Sequence, residues 1–397
     1  MKPPLSARTS WDTSENPLAK ALAEARAAGR SLVDLTESNP TRVGLGGGPE
    51  LVAELGHPRG ALYAPAPTGH PDARAAVARY YAERGLDAPA DRIVLSASTS
   101  ESYAWAFKLL AERGDSVLVP QPSYPLFDFL ARLEDVRLTP YPLLRDAGWR
   151  VDFDALEQSI EETTRAILVV HPNNPTGTLL RRDDAAALEE LAARRGLALI
   201  VDEVFGDYTW GEVAPDRLPS FADARAERRA LTFVLSGLSK VLALPQLKLG
   251  WIVTLGPEDL VAEALRRLEI VADTYLSVST PVQLALPALL DAREPVQAAI
   301  LGRVRANLSA LDAALAMHGE PHGVRRLPAD AGWYAILEVP RTRSEEAWVL
   351  ELVREDGIVV HPGYFFDMER EGFLVLSLLP EVDVFREAVP RMLSRIR

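Results

Sequence analysis

The chain has 397 residues, 48% hydrophobic and 25% charged, with 43 basic against 56 acidic residues, a formal net charge of −13. Such a balance excludes global disorder and argues against sequence-independent binding of nucleic acid, which needs a basic surface. Cysteine is absent, so disulfides, thiolate nucleophiles and Zn–Cys or iron–sulfur sites are excluded together.

No run reaches 18 apolar residues and the N-terminus lacks the apolar stretch of a signal peptide, so no membrane span is expected and a cytoplasmic protein is predicted. The basic residues are nearly all arginine. The lysines are Lys2, Lys20, Lys108, Lys240 and Lys248, and any amine nucleophile has to be one of these.

From the N-terminus, Leu18, Leu22 and Ala25 recur at helical spacing, with Gly29 able to end the helix. Residues 38–50 read as a loop and a boundary. From about 70 to 260, short apolar runs alternate with longer helical patterns. The runs are Ile93–Leu95, Val117–Val119, Ala166–Val170, Ala198–Val201, Phe233–Leu235 and Trp251–Val253; the helical stretches include Glu101–Arg113 and Asp184–Arg195. This predicts an α/β fold with a mostly parallel central sheet and helices on both faces. Beyond about 290 come a long helix over 296–317, strands Trp333–Leu337 and Phe373–Leu378, and a last helix over 382–396. These predict a smaller α+β part. The division expected is residues 50–290 as the large domain, with 1–49 and 291–397 forming the small one.

Open α/β sheets bind ligands at the C-terminal ends of their strands, and polar motifs stand there. Ser96-Ala97-Ser98-Thr99-Ser100-Glu101 follows the first run and offers either ordinary helix capping or a phosphate cradle. Pro120-Gln121-Pro122-Ser123-Tyr124-Pro125 presents an aromatic ring on a proline-braced loop, for packing or for a ligand. His171-Pro172-Asn173-Asn174-Pro175-Thr176-Gly177 is a sharp turn with two amide side chains. Asp202 and Glu203 directly follow a buried run, where ionisation is costly unless a cation faces them. Lys240 lies in Ser236-Gly237-Leu238-Ser239-Lys240-Val241-Leu242 with apolar residues after it, and a desolvated lysine becomes a nucleophilic amine. A lysine, an acid, an asparagine, an aromatic face and a phosphate cradle at successive strand ends together meet the needs of pyridoxal phosphate.

In these motifs, over about residues 30–385, the chain resembles the fold-type I pyridoxal-phosphate enzymes of the class I/II aminotransferase family. The resemblance implies that Lys240 is the Schiff-base lysine and proton shuttle, and that Asp202 keeps the pyridine nitrogen protonated. It implies Asn174 as the donor to the phenolic oxygen, Tyr124 as the ring stacked on the cofactor, and Ser98 and Thr99 as the phosphate loop. Tyr63, ahead of Gly69 and a helix over Asp72–Tyr81, resembles the tyrosine offered to a partner subunit's phosphate, which implies a homodimer. The partners implied are a small-molecule amino donor and a keto acceptor, with no nucleic acid and no membrane.

Three positions depart from the family. Phe205 replaces a tyrosine three residues after the acid, losing a hydrogen bond to the cofactor. Lys248 replaces the phosphate arginine eight residues after the lysine, losing its bidentate fork. Val375 stands where the substrate-carboxylate arginine belongs, so that carboxylate is held by Asn39, Arg42 or a partner residue, or else the donor carries none in the usual place. The activity expected is ping-pong transamination. A β-lyase, decarboxylase or racemase of the same fold is the alternative, and a non-catalytic pyridoxal-phosphate-fold binding protein a more distant one.

Other signals are bland. Gly44–Gly48 lacks the strand a dinucleotide fingerprint needs. His318 and His322 are separated by helix-breaking Gly319 and Pro321, which argues against a zinc pair. Asp183-Asp184 and Glu345-Glu346 read as solvated faces. Trp11, Tyr275, Trp333-Tyr334 and Tyr364-Phe365-Phe366 line an apolar pocket or belong to the core.

Overall fold

The computed structural model describes residues 5–276 and 278–396. Lys2 lies outside the described residues. In chain order the strands are β1 (Val33–Asp34), β2 (Ile93–Ser96), β3 (Ser116–Gln121), β4 (Arg137–Leu144), β5 (Arg150–Val151), β6 (Thr164–Val170) and β7 (Ala198–Asp202), then β8 (Thr232–Gly237), β9 (Gly250–Leu255), β10 (Arg325–Arg326), β11 (Tyr334–Glu338), β12 (Ile358–Val359), β13 (His361–Pro362) and β14 (Phe373–Ser377).

Eight strands form the large sheet in the order β2-β9-β8-β7-β6-β3-β4-β5. The run β8-β7-β6-β3-β4 is parallel throughout, while β9 runs against both β2 and β8. The predicted α/β sheet is therefore present, with β9 as the inserted antiparallel strand. The central strands β2, β9, β8, β7, β6 and β3 are buried on both sides, alternate residues serving two cores, while β4 and β5 lie half-exposed at the sheet's edge. Val94, Val117, Leu168, Ile200, Phe233 and Ile252 pack with Tyr103, Trp105, Phe107 and Leu268 on one face. Leu95, Leu118, Ile167, Val201, Val234 and Trp251 pack with Val77, Tyr81, Leu188 and Leu286 on the other.

A four-stranded sheet, β10-β11-β14-β13, carries the C-terminal part. Its Ala335, Leu337, Leu374 and Leu376 pack against the long helix Arg293–Ala314 and the helix Val382–Arg395. Its opposite face, with Ile336, Phe373 and Val375, joins the core of the large sheet. The N-terminal helix Pro17–Ala27 packs into the C-terminal core, and β1 pairs with β12 in parallel, so the arm is tied to the far end of the chain. The expected loop over 38–50 contains a 3-10 turn, Pro40–Val43, and enters a short helix at Pro49.

Two acids expected on solvated faces are buried instead. Asp184 is 2% exposed and receives the Arg150 guanidinium. Glu345 is 1% exposed and accepts three backbone N–H groups, from Tyr364 (2.8 Å), Gly372 (2.9 Å) and Phe373 (2.7 Å). Sequence adjacency misleads here, because each pair lies in the first turn of a helix, where neighbouring residues point in different directions and only one member faces the protein. Among the described residues, no helix is long and apolar enough to cross a membrane.

Candidate active site

The parallel arrangement brings the C-terminal ends of β2, β3, β6, β7 and β8 to one edge of the large sheet. The antiparallel β9 starts at the same edge, with Gly250 paired to both Ser96 and Gly237. The backbones are closest there. A Cβ on Gly250 would lie 2.9 Å from the Ser98 carbonyl carbon and 3.0 Å from the Thr99 nitrogen, and one on Gly237 would lie 2.9 Å from the Gly250 Cα. Only glycine permits this approach. Ser98 is the N-cap of the helix Thr99–Leu110, its hydroxyl accepting from Glu101 N at 3.1 Å. The free N–H groups of that helix start could hold an anion. Ser236 adds a buried hydroxyl with no hydrogen-bond partner among the described residues.

Lys240 sits in the short helix Leu238–Val241, three residues past β8. Tyr208 Oη donates to the Lys240 carbonyl at 2.5 Å and fixes its backbone. Its Nζ lies 4.7 Å from the centroid of the Trp333 ring and 5.4 Å from that of Phe205, the two rings meeting edge to face. Burial lowers the amine to about 8, opposed by the charge of Asp202. The other described lysines differ: Lys20 and Lys248 are exposed, and Lys108 is paired with Glu134.

Asp202 ends β7, the strand beside β8. Its carboxylate accepts from Tyr103 Oη at 2.8 Å and from Val204 N at 3.0 Å. Burial pushes it up, while those two donors and the Lys240 charge pull it down. Tyr103 was not foreseen, since it lies one turn inside a helix with no motif around it. Tyr208 has no motif around it either, whereas Trp333 is one of the aromatics that the sequence offered for a pocket or the core.

In the turn after β6 the two asparagines divide the work. Asn173 Oδ1 accepts from Thr176 N (3.3 Å) and Thr176 Oγ1 (2.9 Å), and its carbonyl accepts from Gly177 N (2.8 Å), so it builds the turn. Asn174, 8% exposed, keeps a buried amide oxygen with no hydrogen-bond partner among the described residues. His171 is structural: Leu180 N donates to its Nδ1 and burial holds it neutral, down to about 4. Tyr124 is 40% exposed, and its hydroxyl is raised by burial and by Asp202.

Ser98, Thr99, Asn174, Asp202 and Lys240 thus stand along one edge, with Tyr124 following β3 there. Lys248 is exposed and left-handed (φ 54°), two residues before Gly250, with no side-chain hydrogen bond among the described residues. Tyr63 is 73% exposed on the wall of a cleft shared with Gly69, Leu95, Leu276 and Gln283. Among the described residues, no hydrogen bond or ring contact joins it to the edge cluster. Phe205 is buried against Trp333, and Val375 is fully buried in β14. Of the two residues named as substitutes for the strand arginine, Asn39 has its Oδ1 taken by Thr41 N and Oγ1, which leaves its NH₂ group as the donor, and Arg42 makes one contact with Glu37 at 3.4 Å from an exposed side chain.

The sequence profile of the family described as aminotransferase class I and II matches residues 50–389. The chain is 25% identical over 327 residues to a glutamate-pyruvate aminotransferase, AlaA, of Haemophilus influenzae, covering 81% of this chain and 79% of that one. It is 28% identical over 326 residues to an alanine aminotransferase of Mycobacterium bovis, covering 80% and 74%. The structure of an alanine aminotransferase from Pyrococcus furiosus superposes with a TM-score of 0.85 at 21% identity, covering 98% of each chain.

Proposed function

This chain belongs to the aminotransferase class I and II family, and from that premise we propose that the strand-edge cluster is a pyridoxal 5'-phosphate site where a small-molecule amino donor and a keto acceptor exchange an amino group. The enzyme is a transaminase. The observation that carries the site assignment is the pairing of a desolvated Lys240 amine with the buried Asp202 carboxylate on neighbouring strands.

The unfilled features of the edge fit this cofactor. The Asn174 amide oxygen and the Ser236 hydroxyl are buried without hydrogen-bond partners among the described residues, and Gly237 and Gly250 let β8, β9 and the helix start at Thr99 close up on one another beside them. An amide terminus left open in this way is costly unless a ligand completes it. Ser98, Thr99 and Lys248 would hold the phosphate, and Asn174, its amide turned so that Nδ2 faces the open side, would donate to the phenolic oxygen. Asp202 would meet the ring nitrogen, Tyr124 would cover one ring face, and Lys240 would bind the aldehyde carbon. When bound, the group supplies an electron sink for the bonds at the substrate's α-carbon.

The chain's own residues do the rest. With its amine lowered to about 8, Lys240 holds a useful neutral fraction near neutral pH and can take up and return a proton. The Phe205 and Trp333 rings exclude water around Nζ. Burial raises Asp202, and the Tyr103 and Val204 donors act against it, favouring the carboxylate that would hold a positive ring nitrogen. Tyr63 would serve a second copy: it and Leu276, both more than half exposed, share one cleft wall, an apolar surface suited to a homodimer. The large domain would span 50–290, and 1–49 with 291–397 the small one, an arrangement supported by the β1–β12 pairing.

The test is chemical. Pyridoxal phosphate added to the apoprotein should give a visible absorption band, and borohydride reduction followed by peptide mass spectrometry should find the label on Lys240. An amino donor alone should then convert the unreduced band stoichiometrically. Labelling of another lysine, or of none, would overturn the assignment.

A further inference from the structure

Val375 leaves β14 without a cation, and the register shows what stands next to it. Val375 pairs with Ile336 of β11 on one side and with His361 of β13 on the other. Directly opposed residues of antiparallel strands project to the same face. The His361 imidazole therefore stands beside Val375, on the face that also carries Tyr334 and Ile336. That face leads toward the lysine: the Tyr334 ring is 6.4 Å from the Phe205 ring, and Lys240 Nζ is 5.4 Å from the latter.

The His361 ring lies 5.7 Å from each of Phe365 and Phe366, and Phe366 lies 6.2 Å from Tyr334. Its Nδ1 is buried and has no hydrogen-bond partner among the described residues. Asp34 is the carboxylate whose charge reaches the ring, against the dominant effect of burial, which favours the neutral form. A neutral imidazole protonated on one nitrogen is a hydrogen-bond donor, and an unmatched one among aromatic rings is stabilised by a ligand oxygen.

We propose that His361 is the specificity-determining residue for the substrate's carboxylate, giving one imidazole N–H hydrogen bond where the strand lacks a bidentate arginine. The inference rests on the strand-edge cluster being the pyridoxal-phosphate site. It implies carboxylate recognition without a fixed positive charge, inside a wall of Tyr334, Phe365 and Phe366.

The probe is 3-phenylpropionate, a carboxylate with no amino group, titrated into the holoenzyme by calorimetry, with 3-phenylpropionamide as the comparison. His361→Phe should weaken the acid by about tenfold or more, the equivalent of about 1.4 kcal/mol, and change the amide far less. His361→Asn, which restores an N–H donor, should recover most of the acid's affinity, as should adding Val375→Arg to His361→Phe. Unchanged acid binding in His361→Phe with the coenzyme band intact overturns the proposal. So does an equal loss of acid and amide, which would mark a packing role. A wild-type chain that takes up no coenzyme overturns the site assignment beneath it, and the absent band separates that failure from the other two.

Discussion

Lys240 and Asp202 hang from the neighbouring parallel strands β8 and β7, and each moves the other's ionisation against the pull of burial. The Asp202 charge raises the amine, and the Lys240 charge lowers the acid. Asp202→Asn removes a negative charge that favours the ammonium, so Lys240 should titrate lower still than about 8. In the apoprotein, the pH midpoint for acetylation of Lys240 should move down. In the holoenzyme, turnover should fall by about 10²–10³-fold, the usual cost of losing one preorganised electrostatic partner. An unmoved labelling midpoint would show that the two groups are not coupled.

The same amine makes apoprotein stability depend on pH. Between about 8 and the ordinary lysine value of 10.5, the unfolded chain holds a proton at Lys240 that the folded chain has released. The unfolded state binds more protons there, so stability rises with pH across that window. Below it, the folded state bears the cost of a buried ammonium. Lys240→Met should therefore stabilise the apoprotein at neutral pH by on the order of 1–2 kcal/mol, a figure reduced for partial solvent access, and should flatten the rise. Urea unfolding at pH 7 and pH 10 checks both.

Gly250→Ala should damage the cradle selectively. The new methyl would meet the Ser98 carbonyl carbon at 2.9 Å and the Thr99 nitrogen at 3.0 Å, backbone atoms that cannot rotate aside. Relief requires the start of the helix Thr99–Leu110 to move away from β9. Affinity for inorganic phosphate and for pyridoxal phosphate should both drop by about tenfold or more, equivalent to about 1.4 kcal/mol. Calorimetric titration of the apoprotein with each ligand measures it. Pyridoxal, which lacks the phosphate, should bind the variant and the wild type alike.

The large sheet was legible because each of its core strands is a short, continuously apolar run, the signature of burial on both faces. The candidate site was legible where one of its proposed residues follows such a run within a few positions, as with Asp202, Asn174 and Lys240. What escaped was set by long-range packing. β4 carries two prolines and alternating burial, so it does not read as a buried strand. Tyr103 reaches Asp202 across 99 positions of chain, and Tyr208 reaches the Lys240 carbonyl across 32; neither has a local motif. The antiparallel sense of β9 is equally silent, because a strand fully buried in the sheet interior looks the same in either direction.

Glu345 ties the aromatic loop to β14 through two different oxygens, and that division makes a sharp prediction. Oε1 accepts from Gly372 N at 2.9 Å and Phe373 N at 2.7 Å, while Oε2 accepts from Tyr364 N at 2.8 Å. Glu345→Gln has one acceptor oxygen. Facing it toward Gly372 and Phe373 keeps two bonds and turns the NH₂ group against the Tyr364 N–H. The turn Gly363–Phe366, which carries the two phenylalanines beside His361, then loses its anchor while the strand keeps its own. Stability should fall by about 0.5–1.5 kcal/mol, the net worth of one hydrogen bond, since Tyr364 is partly open to water. Hydrogen exchange should show protection lost at the Tyr364 amide and retained at Gly372 and Phe373. Equal loss at all three amides would mean that the carboxylate holds the loop and the strand as one unit.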